Sequence, residues 1–185
     1  ANVQVDTLGI NVSENTKHKA VLLYDTEQSE VQLFKNVTNL IKRAKQTDKP
    51  DEFKAFCLTG MSRKERLHAI VQSMDRYYYQ YDGIQLVVID GIADLVRCAN
   101  DEAESVAIID ELYRLAGIYK TCIICVLHFI PNGLKLRGHL GSELQRKAAA
   151  ILSIEKDEDP AMSVVKALKV RDGSPLDVPL MLFAW

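Results

Sequence analysis

The chain has 185 residues and a net charge of −2, from 23 basic and 25 acidic side chains. Apolar residues make up 48% and charged residues 26%, ordinary globular proportions that exclude collagen-like, coiled-coil and disordered classes. Near-neutral charge excludes a histone-like, charge-driven binder but not a local basic patch. No apolar run approaches the roughly 20 residues of a membrane span. Residues 1–14 show no charged start followed by an apolar stretch, so no signal peptide is expected.

Lys19–Tyr24 reads as a short apolar strand ending at Asp25. Glu27 to Lys45 is helical in pattern, with Val31, Phe34, Val37, Ile41 and Ala44 recurring every three or four residues. After a loop around Pro50, Phe53–Leu58 is a second strand. Ser62 and Glu65 form a capping-box pattern that opens a helix running to about Tyr79, with Leu67, Ile70, Val71 and Met74 on one face. Ile84–Ile89 is a third strand, closed by Asp90-Gly91. A helix from Asp101 to Gly117 and a strand over Thr121–Leu127 follow. Phe129–Gly141 reads as a loop and Ser142–Ala148 as a short helix. Ala149–Glu155, Met162–Val170 and Val178–Phe183 complete the series as strands, with Asp172-Gly-Ser-Pro175 as a hairpin-like turn.

Strands alternating with helices predict parallel βαβ units, and the near-continuous apolar strands fit a sheet covered on both faces. The expected class is α/β: a mostly parallel sheet flanked by helices, with an antiparallel C-terminal hairpin, in a single domain over residues 1–185. Four cysteines, Cys57, Cys98, Cys122 and Cys125, lack disulfide spacing. Cys122 and Cys125 form a C-x-x-C, but three residues apart on a strand the thiols point to opposite faces. All four are expected to be unpaired core thiols, which suggests a cytoplasmic protein.

In an open parallel sheet, ligands bind outside the carboxyl ends of the strands. Three polar groups follow apolar runs there: Asp25-Thr26-Glu27, Asp90 and His128. An apolar strand ending in Asp is the Walker B pattern, in which the carboxylate holds Mg²⁺ against phosphate oxygens. Glu27 then suits a residue that orients and deprotonates an attacking water, and His128 one that contacts the terminal phosphate.

Together these motifs resemble the RecA-like P-loop ATPases. Tyr24-Asp-Thr-Glu-Gln-Ser29 is similar to the segment carrying the catalytic glutamate, Glu27. Leu86-Val-Val-Ile-Asp90 resembles Walker B, with Asp90 as the Mg²⁺ ligand, and Val126-Leu-His128 resembles the strand that senses the γ-phosphate. Arg137-Gly-His-Leu-Gly-Ser142 lies where that superfamily has a DNA-gripping loop. Lys169-Val-Arg171 before Asp-Gly-Ser-Pro resembles the K-x-R-x-G hairpin of hexameric replicative helicases, whose Lys and Arg reach a neighbouring subunit's phosphates. The likeness extends over Lys19 to Phe183, most closely to RepA-type ATPases of plasmids and mobilizable transposons. It implies ATP and Mg²⁺ as cofactors, a homo-oligomeric ring or filament, and helicase-like or loader activity on DNA in replication or mobilisation.

One departure is large. The superfamily's phosphate cradle, G-x-x-x-x-G-K-[ST], is absent, because none of the nine glycines precedes a Lys-Ser or Lys-Thr pair. The chain is expected to be a fragment lacking the P-loop strand and helix, or a degenerate relative, and to hydrolyse ATP poorly by itself.

Lys169 and Arg171, two apart on a strand, share a face and suit phosphate oxygens. Over Phe129–Ala148, Lys135, Arg137, Arg146 and Lys147 outnumber Glu143, and His139 adds partial charge. This segment suits nucleic-acid phosphates, single-stranded and without sequence readout. Tyr77-Tyr-Tyr79 and Tyr81 are expected to pack a helix on the sheet, and His18 and His68 to lie at the surface. Zinc-ligand spacing, a G-x-S-x-G elbow and G-x-G-x-x-G are absent, which disfavours a structural zinc, a hydrolase triad and a dehydrogenase. The rival to a DNA motor is a noncatalytic regulatory or assembly module on the same fold.

Overall fold

The computed structural model describes residues 13–129 and 138–184. In chain order the elements are β1 (Ala20–Asp25), α1 (Glu30–Arg43), β2 (Phe53–Cys57), α2 (Arg63–Gln80), β3 (Ile84–Asp90), α3 (Glu102–Tyr119), β4 (Cys122–Val126), α4 (Gly138–Lys147), β5 (Ala150–Lys156), β6 (Met162–Val170) and β7 (Met181–Ala184). β2-β1-β3-β4 form a parallel sheet, and β5-β6-β7 form a separate antiparallel sheet. The architecture is therefore α/β as predicted, with the parallel sheet flanked by helices. The chain divides into two compact units, Glu14–Leu144 and one that includes residues 145–184. Among the described residues, no helix is long and apolar enough to cross a membrane.

Side-chain caps set where the helices begin. Ser29 Oγ accepts the Gln32 N–H at 3.3 Å, so α1 starts at Glu30 and Glu27 stays in the preceding turn. Glu65 accepts the Ser62 N–H at 2.7 Å, as the capping pattern predicts. Asp101 accepts the Glu104 N–H at 3.0 Å at the start of α3. α4 begins at Gly138, well before the predicted Ser142, so His139 lies on a helix and not in a loop. The cause is local: Gly138 has φ +65°, a Cβ there would collide with the Ala99 carbonyl, and the Leu140 N–H donates to Ala99 O at 3.0 Å. The C-terminal hairpin is not tight. β6 pairs with β7 only from Met162 to Val165, and a 3-10 turn at Pro175–Asp177 occupies the long connection.

The main core joins Ala20, Leu22 and Tyr24 of β1 to Val87 and Ile89 of β3, Ile70 and Met74 of α2, and Ile108, Leu112 and Leu115 of α3. Truncating a side chain such as Met74 to Ala there costs about 2–5 kcal/mol. Tyr77, Tyr78 and Tyr81 pack against this core, whereas Tyr79 is exposed. His18 and His68 are at the surface as expected. α1 departs from its predicted face. Leu33 and Ile41 are buried, but Val31 and Phe34 are 65% and 73% exposed, because the sheet covers a narrower arc than the apolar pattern.

β4 is the sheet edge and alternates between faces. Ile123 and Cys125 lie in register with the fully buried Val87 and Ile89, whereas Ile124 and Val126 lie in register with Val88 and Asp90 on a face left open. The two C-x-x-C thiols diverge accordingly. Burial pushes the Cys125 thiol up to about 12, while Cys122 is exposed. All four cysteines are free, but Cys98 and Cys122 are not core residues.

Candidate functional site

The register of β1, β3 and β4 brings three strand ends side by side. Asp25 sits opposite Asp90, and Asp90 opposite Val126. Asp25 is 2% exposed, and its Oδ1 accepts the backbone N–H groups of Glu27 (2.9 Å) and Gln28 (2.7 Å). This carboxylate folds the chain into a turn as it leaves β1, and the turn presents Glu27. Glu27 Oε2 lies 3.1 Å from His128 Nε2, so two of the predicted residues meet across the end of β3.

Asp90, the third, is half-buried beside them. Burial first, then the neighbouring Asp25 and Glu27 carboxylates, pushes its carboxyl above the ordinary aspartate range, and His128 acts in the opposite direction. Three carboxylates at one strand edge, Asp25 buried and Asp90 half-buried, make a place where added positive charge is stabilising. Among the described residues, no group of three or more His, Cys, Asp or Glu is arranged to hold a metal by itself. The donor set fits Mg²⁺, which is held by one or two carboxylates with water and substrate oxygens completing the shell.

Sequence reading passed over three polar residues here. Thr26 is 3% exposed, and its hydroxyl lies 3.0 Å from Asp90 O and 3.0 Å from Asp94 Oδ2. Asp94 in turn lies 3.6 Å from the Arg66 guanidinium of α2. The adjacency of Thr26 to Glu27 was visible in the sequence, but the contacts from Arg66 and Asp94 were not.

The basic residues sit on other elements. Lys169 Nζ donates to the carbonyls of Gln145 (2.6 Å) and Arg146 (3.4 Å), and Arg171 Nη2 donates to that of Lys147 at 3.2 Å. The spacing predicts one strand face for both, but β6 ends at Val170 and Arg171 lies in the turn after it; both nonetheless serve the negative end of α4. His139 and Arg146 are exposed on α4, and Lys147 is half-buried there. Lys135 and Arg137 lie outside the described residues. No protein-family model matches the chain, and no curated protein matches it.

Proposed function

We propose that this chain is the larger part of a RecA-like ATPase, an ATP-driven DNA motor or loader serving replication or mobilisation of a mobile genetic element. The observation that carries this reading is the strand-end cluster: Asp90 in register with Asp25, with Glu27 hydrogen-bonded to His128 across the same edge. Asp90 holds Mg²⁺, which when bound neutralises charge on the nucleotide's phosphate oxygens. Glu27 orients a water and accepts its proton, and His128 holds the Glu27 carboxylate until phosphate competes for the imidazole.

The open half-face of β3 and β4 also supports this reading. Leu86 and Val88 are only partly covered, and Ile124 and Val126 are 46% and 37% exposed, although parallel sheets are ordinarily covered on both sides. A phosphate-cradling loop and its helix, from sequence outside residues 1–185, cover this face in the proposed complete protein. Lys169 and Arg171 reach a neighbouring subunit's nucleotide in a ring or filament. Lys135, Arg137, His139, Arg146 and Lys147 contact the backbone of single-stranded DNA without reading its sequence. The proposed setting is the cytoplasm, supported by four free cysteines.

The test is DNA-stimulated ATP turnover by the longer natural chain that carries a P-loop, beside its Glu27→Gln variant. Loss of a positioned general base lowers turnover by about 10²–10⁴-fold while ATP still binds. Turnover unchanged in Glu27→Gln, or a longer chain that binds no ATP, removes the motor reading and leaves the noncatalytic assembly module.

A further inference from the structure

We propose that Lys169 and Arg171 clamp the last turn of α4, and that phosphate opens this turn, which carries Arg146 and Lys147, by drawing the two cations away. The proposal rests on the reading of the pair as a contact to a neighbouring subunit's nucleotide, and it adds what that contact does to α4.

The clamp follows from strand register. α4 ends at Lys147 and β5 begins at Ala150, so only Ala148 and Ala149 separate them. Along the β5–β6 ladder, Ala150 sits opposite Val170 and Ile151 opposite Lys169. The end of β6 is thereby returned to the end of α4. Lys169 Nζ donates to Gln145 O at 2.6 Å and to Arg146 O at 3.4 Å, and Arg171 Nη2 donates to Lys147 O at 3.2 Å. All five residues belong to one compact unit.

An α-helix leaves its last four carbonyls without an intrahelical partner. In α4 these belong to Leu144, Gln145, Arg146 and Lys147, and the basic pair takes three of them. The sequence supplies no other stop, because Lys147 is followed by Ala148-Ala149 and not by the Gly or Asn that closes many helices. α4 has 10 residues, a length at which a helix in water is marginal without tertiary contacts. Each cation at a helix C-terminus shifts the equilibrium of that turn about two- to fivefold, so the pair together shifts it about 3- to 30-fold.

Phosphate competes for the same groups. Lys169 has three N–H donors and directs two of them at carbonyls. A phosphate brought to the third would stand beside carbonyl oxygens at the negative pole of the helix, where an anion is disfavoured. Lys169 is half-buried and Arg171 exposed, and their long stems let the charged heads change partners. An occupied neighbouring site then loosens the turn that presents Arg146 and Lys147 to nucleic acid, and an empty one restores it. Nucleotide state is passed to the DNA contact through two side chains.

Inorganic tripolyphosphate is the probe, added to the 185-residue chain at constant ionic strength and followed by NMR. The Lys169 and Arg171 side-chain signals should shift, and amide exchange at Gln145, Arg146 and Lys147 should accelerate about threefold or more. The Ile108 and Leu112 amides of α3 should not change. Without the probe, a double variant, Lys169→Met with Arg171→Met, should exchange about 3- to 30-fold faster than wild type at the same three amides, and it should not respond to the probe. Lys169→Arg with Arg171→Lys, which keeps both cations, should retain most of the protection. If the double Met variant does not fold, Lys169→Met alone makes the comparison. Wild-type protection in a folded Met variant overturns the clamp and leaves the phosphate reading standing. Shifted side-chain signals with unchanged exchange at the three amides overturn the opening step in the same way. No shift at either Lys169 or Arg171 removes the phosphate reading, and the proposal with it.

Discussion

At the carboxyl ends of β1 and β3, polar side chains are buried and tied to backbone. At the end of β6, Lys169 and, in the turn just after it, Arg171 lie near the surface and donate to the last carbonyls of α4. Asp25 is 2% and Thr26 3% exposed, so each must find its partners within the protein. The basic pair can exchange its carbonyls for water or phosphate at little cost. Geometry at the acidic edge is thus fixed by folding, whereas geometry at the basic pair can follow whatever binds. An edge of the first kind suits chemistry that needs a fixed distance, and a pair of the second kind suits a contact made and broken in each cycle.

The sharpest way to break this comparison is Asp25→Ala, which strips two buried N–H groups of their acceptor. It should cost about 2–4 kcal/mol and lower Tm by about 5–12 °C for a chain of this length. A loss below about 2 °C would mean that water replaces the carboxylate and the edge is not closed.

Asp90→Asn should act with the opposite sign. The Asp90 carboxyl is held above its ordinary range by burial and by Asp25 and Glu27, so the folded state binds that proton more tightly than the unfolded state does. Its stabilising contribution is present at acid pH and is lost as pH rises through the raised pKa. Asparagine mimics the protonated form. The variant should therefore melt higher than the wild type at pH 7. The two proteins should converge towards pH 3. Melting curves across that range check both the sign and the window.

The smallest effect belongs to Lys169→Met, which removes one cation from the end of α4 and should lower Tm by about 1 °C. A larger drop would mean that the basic pair is as firmly built in as the acidic edge.

The acidic edge was legible in the sequence because each member ends an apolar run, and strand ends in a parallel sheet converge by construction. Glu27, Asp90 and His128 needed no contact information to be grouped. Thr26, Asp94 and Arg66 did, since they meet largely through backbone carbonyls of loops distant in sequence, where any residue type offers the same acceptor. Position alone also fails for apolar residues. Val31 and Phe34 keep helical spacing with Ile41, yet spacing does not reveal how wide an arc the sheet will cover. Cys122 was misjudged for a related reason: β4 is an edge strand with one face uncovered, and an apolar strand reads the same whether one face is covered or two. Gly138 marks the start of α4 only because Ala99 stands against it, which the sequence does not disclose.

The alternation along β4 also gives the protein a chemical gauge of its own open face. Burial holds the Cys125 thiol well above its ordinary range, so at pH 8 it stays protonated and alkylating reagents pass it by. Cys122, exposed three residues away, is open to them, and the exposed Cys98 provides an internal standard on another part of the chain. The ratio of the two alkylation rates should fall when a helix or a further strand settles over Ile124 and Val126. It should stay constant in any complex that leaves that face bare, so two thiols resolved by mass spectrometry would report the completeness of the sheet without any reference to catalysis.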